Sequence, residues 1–141
     1  MKMFNYSNFI KKVVEKAYLE MTKKYGMTNN EIAVISYLSV NTNATASDIV
    51  NDLLFSKSHV SLSVDALTKK GMIEKKQDKQ DKKIYHLQLT SKSQVIIDEL
   101  FVRRNEIEKV FFKGFSENDK FLLQTLIQKV VLNIKDSTLL K

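Results

Sequence analysis

Apolar positions recur at helical spacing along most of the chain. Ile10, Val14, Ala17 and Met21 fall at steps of four, three and four, widened by Phe9 and Val13. This predicts a first helix over residues 6–25. Ile32, Ile35 and Leu38 mark a second over 29–39. Ile49 and Leu53 mark a third over 46–53, and Val60, Val64 and Leu67 a fourth from Ser56 or Lys57 to Gly71. The period then changes to two. Tyr85, Leu87 and Leu89 alternate with Ile84, His86 and Gln88, which predicts a half-buried strand over 84–89. Residues 72–76 are its expected partner, and the polar segment 77–83 between them its protruding tip. Two long helices follow, from Thr90 or Ser91 to about Lys113 and over 117–136. Their apolar residues, including adjacent pairs such as Val130 and Val131, cover more than one stripe. A helix of that kind buries two faces, and in so short a chain the second face is expected to meet another subunit.

The punctuation agrees with these boundaries. Gly26, Gly71 and Gly114 each follow an amphipathic stretch, where a left-handed residue ends a helix. Thr28 to Glu31, Thr45 to Asp48 and Ser116 to Asp119 each have the form of a capping box. In such a box a side-chain oxygen and a carboxylate bond each other's amide reciprocally.

Composition narrows the chemistry. The 141 residues suggest one domain with an ordinary core, and the absence of proline with only three glycines suggests a mostly helical one. There is no cysteine, which removes disulfides, thiolate chemistry and Cys-ligated metals. His59 and His86 are too few for an all-histidine metal site, so no metal and no cofactor are expected. No apolar run reaches the roughly 18 residues of a membrane span, and no signal-peptide stretch opens the chain. The expectation is a cytoplasmic protein with no membrane role. The net charge of +7, almost all of the excess carried by lysine beside Arg103 and Arg104, suggests an anionic partner. No nucleophile–base pair, glycine-rich phosphate loop or metal-ligand spacing is visible, so an enzyme is not expected.

A short helix, a tight turn, a second helix and a two-stranded hairpin make a winged helix-turn-helix. Its second helix enters the major groove of double-stranded DNA, and its hairpin reaches the backbone or minor groove. At about 100° per residue, Ser58, Ser61, Leu62, Asp65 and Lys69 face away from Val60, Val64 and Leu67. That outward face is small, hydroxyl-bearing and lightly charged, suited to sitting deep in a groove.

The run from Phe55 through Ser56-Lys57-Ser58-His59-Val60-Ser61-Leu62-Ser63-Val64-Asp65 to Gly71-Met72-Ile73 resembles the recognition-helix signature of the MarR family of bacterial transcription regulators. The resemblance continues through a basic residue after the glycine, Lys75, a wing motif at Asp81-Lys82-Lys83, and a helix start at Leu89-Thr90. The order of elements matches over nearly the whole chain, with the motifs strongest over residues 45–90.

The resemblance implies a mainly α fold with a small β-hairpin wing, a single MarR-like domain over 1–141. Residues 28–90 would be its DNA-binding part, and 1–27 and 91–141 its dimerisation helices. It further implies a homodimer reading two half-sites of a near-palindromic operator, usually to repress, with a small-molecule effector in many relatives. Lys57, Ser58, His59, Ser61 and Leu62 are the expected recognition-helix contacts, and Lys75, Asp81, Lys82 and Lys83 those of the wing. His59 stands where the family often has Thr, Leu62 where it often has Arg, and Lys83 replaces the wing Arg. Lysine binds phosphate as a flexible point charge rather than a planar fork.

Plainer readings stand beside these. The lysines of residues 69–83 could be a solvated loop; behind a recognition helix, phosphate contact is favoured. Asp81 could be a turn residue or pair with a wing cation. His86, on the outer strand face, is expected to be a surface residue, and the aromatics of the first and fifth helices to be core or subunit interface rather than an effector pocket. A winged-helix module binding another protein, antirepressor-like, is the alternative function.

Overall fold

The computed structural model describes residues 2–140. Its elements are α1 (Met3–Ala17), α2 (Leu19–Tyr25), α3 (Asn29–Val40), α4 (Ala46–Leu53), α5 (Lys57–Lys69), β1 (Ile73–Gln77), β2 (Tyr85–Leu89), α6 (Gln94–Phe111) and α7 (Glu117–Asp136). Single helical turns at Ser91–Ser93 and Thr138–Leu140 complete the order. This is the mainly helical, hairpin-bearing architecture that the periodicities predict.

The single first helix is corrected to two. The chain breaks at Tyr18 (φ −92°, ψ −1°), beside which the Thr22 hydroxyl takes the Leu19 carbonyl at 2.7 Å. The break separates two environments: α1 buries no residue, whereas α2 sends Met21 fully into the core.

Contacts group the chain into two compact units that divide after Arg104. In the first, α3 is central and buries Ile32, Val34, Ile35 and Leu38. Ile49 of α4, Val60, Val64 and Leu67 of α5, Ile73 of β1, Leu87 of β2, and Ile96 and Leu100 of α6 close around it. The Tyr37 hydroxyl donates to Asp52 at 2.7 Å, bracing α3 against α4 and pushing the phenol up to about 12. In the second unit, Phe112 and Phe115 meet edge to face at 5.5 Å, and Ser116 and Asp119 cap α7 reciprocally. Along α7, Phe121, Leu122, Leu126, Ile127, Val130 and Val131 are exposed.

Two of the three expected capping boxes form, at Thr45 and Ser116. The third is half formed. Thr28 accepts the Glu31 amide, but the Glu31 carboxylate turns instead to the Lys70 ammonium at 2.6 Å, where a cation outbids a backbone amide.

Gly71 is required where it stands. Its φ of +72° lets the Met72 amide close onto the Leu67 carbonyl at 2.9 Å and its own amide onto Thr68 at 3.0 Å, ending α5 and launching β1. β1 and β2 pair antiparallel from Ile73 opposite Leu89 to Gln77 opposite Tyr85. Both strands start one residue later than the alternation suggests. The Met72 and Ile84 amides are spent on turns, the latter on the Asp81 carbonyl at 3.1 Å.

Candidate nucleic-acid interface

The α4–α5 turn presents α5 to solvent. Leu54 ends α4 in the left-handed region (φ +53°), and Ser56 caps α5 by accepting the His59 amide at 3.1 Å. Val60, Ser63, Val64 and Leu67 then face the core, and Lys57, Ser58, His59, Ser61, Leu62, Asp65 and Lys69 are exposed. Leu62 is 69% exposed, an apolar side chain left standing on an otherwise polar face. The Ser58 hydroxyl lies 3.1 Å from that of Ser56, so it also serves the helix start.

An open hollow of about 780 Å³ runs between α5 and the wing. It brings together Lys57, Ser61 and Asp65 of α5, Lys75 of β1, and Lys83, Ile84 and Tyr85 at the start of β2. Ser58, His59, Leu62, Asp81 and Lys82 are exposed outside that lining. Ser47 and Asn51 of α4 also line it and are absent from the sequence-derived set. They are four residues apart, on the side of α4 opposite the buried Ile49. The same helical rule that sorts α5 would have found them.

Lys75 is not free. Its ammonium lies 3.4 Å from the Asp65 carboxylate and ties the wing strand to the recognition helix. Lys76 likewise stands 3.6 Å from Glu74. At the wing tip, Asp81 takes the turn role: its carboxylate accepts the Lys83 amide at 2.9 Å. Gln77 reaches across to the Lys82 carbonyl at 2.7 Å, closing the tip on itself.

His86 differs from the surface residue expected of it. Its ring is half-buried, 2.7 Å from the Asn43 carbonyl by Nδ1 and 2.7 Å from the Asp78 carboxylate by Nε2. The segment before α4 lies along β2 like a short third strand. Thr45 bridges His86, and the Leu87 amide donates to the Ala44 carbonyl at 2.8 Å. Asp78 is held down to about 2, first by His86 and then by the Asp81 and Gln80 amides. Asp78 and the Asn43 carbonyl raise His86 above its ordinary 6.5.

Among the described residues, no helix is long and apolar enough to cross a membrane, and no cluster of three acidic or histidine side chains could hold a metal ion.

Comparison with known proteins matches this geometry. Residues 27–93 match the family model of a winged helix DNA-binding domain. The HTH-type transcriptional regulator BilQ of Clostridioides difficile (strain CD3) is 25% identical over 120 residues, covering 84% of this chain and 76% of that protein. A structure described as a MarR family transcriptional regulator of Listeria monocytogenes complexed with 26mer DNA superposes with a TM-score of 0.87. It is 23% identical, over 94% of this chain and 89% of that one. MepR of S. aureus in DNA-binding conformation gives a TM-score of 0.86 at 18% identity, over 95% and 99% of the two chains. These matched proteins are regulators, not enzymes. The chain has the fold seen in solved regulators of the MarR family, and its residues 27–93 match a winged helix DNA-binding domain.

Proposed function

We propose that the protein is a sequence-specific, homodimeric transcription regulator acting on double-stranded DNA in the cytoplasm, a repressor that reads a near-palindromic operator. In each subunit α5 enters the major groove. Ser58, His59, Ser61 and Leu62 face base edges, and Lys57, Lys82 and Lys83 hold phosphates, with Lys75 beside them paired to Asp65 and Asp81 shaping the wing turn. The observation that carries this reading is the hollow beside α5, where an exposed face of small hydroxyls is flanked by Lys57, Lys75 and Lys83. Small side chains admit a helix to the groove, and cations at its margins fix the register. The Listeria monocytogenes relative supports it through its 26mer DNA complex.

Dimerisation through residues 1–27 and 91–141 rests on exposed apolar surface. Phe4, Phe9 and Ile10 on α1 and Leu126, Ile127 and Val130 on α7 are each left in solvent by one copy of the chain. Large apolar side chains left exposed along a helix in this way are what a subunit interface covers.

The test is selection of bound duplexes from a random pool. A two-fold related motif is expected, bound at least about 10³-fold tighter than random DNA. Lys83→Ala should weaken binding to all sequences alike, and Ser61→Ala should change the selected motif. Equal affinity for selected and random duplexes would overturn the reading and favour a module that binds protein.

A further inference from the structure

His86 is a strongly engaged titratable group that DNA contact leaves unexplained. Its two ring nitrogens face two atoms that can only accept: the Asn43 carbonyl at 2.7 Å, and an Asp78 oxygen, also at 2.7 Å. Asp78 stands ionised across the neutral range, held down to about 2 by the His86 ring and by the Asp81 and Gln80 amides, which its other oxygen accepts at 2.9 and 2.8 Å. A neutral imidazole carries one N–H and one lone pair. Whichever nitrogen holds the hydrogen, the neutral ring sets a lone pair against an oxygen on its other side. The doubly protonated ring alone donates to both.

The two acceptors sit on different parts of the molecule. Asn43 belongs to the loop between α3 and α4 and is held at φ +60°, with its carbonyl against the His86 ring. Asp78 begins the wing tip and caps its turn. The ring therefore couples the tip to the frame that carries α4 and α5.

We propose that His86 is a positioning residue for DNA binding: as an imidazolium it clamps the wing tip to the α3–α4 loop, and loss of its proton releases the tip and weakens duplex binding. The inference rests on the DNA-binding reading above.

Other charges face the ring from each neighbouring element. Asp78 stands on the wing, and Asp48 on α4 also favours the cation. Lys76 pairs with His86 across the strands, and Lys79 lines, with Asp78 and His86, a separate shallow hollow at the wing tip; both oppose it. Lys76 is partly answered by Glu74 at 3.6 Å. The sign follows from the raised proton affinity. The clamp's contribution is complete below the ordinary value of 6.5 and is lost as pH rises through the higher folded value.

Two measurements test this. In the full-length wild type at pH 6.5, the ordinary value, nitrogen–proton NMR couplings are expected at both His86 ring nitrogens in most of the population; a ring mainly bare at one nitrogen would overturn the clamp. Affinity for a selected duplex is then followed at fixed salt from about pH 6 to about pH 9 in wild type, His86→Gln and Asp78→Asn. Wild type should lose at least about threefold more affinity over that range than either variant, because the proton that closes the clamp is lost as pH rises. Parallel profiles in all three would overturn the link to DNA. A wild type that binds no duplex at any pH would instead sink the DNA-binding reading, and with it the positioning role, while the ring couplings still decide whether the clamp exists.

Discussion

Replacing Asp65 with asparagine should make the protein bind DNA more tightly. Asp65 and Lys75 stand 3.4 Å apart with side chains 56% and 41% exposed, on the margin of the hollow that α5 and the wing share. An ion pair that open to water contributes about 0.2–1 kcal/mol. Lys75 must give up part of that to reach a phosphate. A carboxylate on the same surface also repels the backbone by about 0.5 kcal/mol at a separation near 8 Å in water. Removing both effects should tighten nonspecific binding by about 1 kcal/mol, roughly fivefold. The salt dependence should steepen too. One more neutralised phosphate adds about 0.9 to the slope, which between about 0.05 and 0.2 M salt is a further factor of about 3.5. Fluorescence anisotropy of a labelled random duplex, titrated across that salt range, reads both quantities. Lys75→Met on the Asp65→Asn background should return the slope to its starting value. Weaker binding or an unchanged slope in Asp65→Asn would mean that Lys75 does not reach the backbone.

Three further outcomes bear on the frame that carries this surface. Lys70→Met strands the Glu31 carboxylate, which is 8% exposed and loses a 2.6 Å partner that also holds the Gly26 carbonyl at 2.8 Å. A fully buried pair broken this way costs about 3–5 kcal/mol, and the partial exposure of Lys70 lowers that to about 2–3. Urea unfolding should show it, and Glu31→Gln added to Lys70→Met should restore most of the loss; a cost near zero would remove the pair from the stability argument. Leu54→Gly should raise the urea midpoint by the equivalent of about 0.5–1 kcal/mol, because Leu54 holds φ +53° with its side chain 63% exposed. A lowered midpoint would show that the leucine side chain contributes more than its strain costs. Leu126→Glu with Val130→Glu, two exposed positions one turn apart on α7, should halve the mass measured by sedimentation; an unchanged mass would exclude that face from the dimer.

The parts of this molecule legible in its sequence are those fixed by neighbours a few residues away. The inward set Val60, Val64 and Leu67 and the outward set Ser58, Ser61, Leu62 and Asp65 follow from one period, and the structure keeps both. Misjudgements arise where a distant group intervenes. Glu31 has the spacing of a cap but is taken by Lys70, 39 residues away. His86 is assigned correctly to the outer face of its strand. What no local pattern reveals is that residues 43–45 lie against that face and turn an outer position into a half-buried one. The break at Tyr18 is hidden because the apolar stripe runs straight through it, without glycine or proline to mark it.

Charge is where sequence and structure differ most in consequence. The net +7 and the crowd of lysines between residues 69 and 83 suggest a broad cationic surface. The fold commits much of it elsewhere. Lys70 is held by Glu31, Lys75 by Asp65 and Lys76 by Glu74. Among the described residues of α5 and the wing, Lys57, Lys69, Lys79, Lys82 and Lys83 remain without an ion partner, and of these only Lys57 and Lys83 line the hollow beside α5. At about 0.9 per neutralised phosphate, the two lining lysines set a floor near 1.8 for the steepness of the salt dependence per subunit, and all five a ceiling near 4.5. A measured slope inside that window means that the wing engages with its internal pairs intact. A steeper one requires the pairs at Asp65 or Glu74 to open on binding, and then the wing is not a rigid finger but a part that DNA remodels. A slope well below the floor would leave the lysines beside α5 without phosphates to hold, and the docking of that helix in the groove would fail with it.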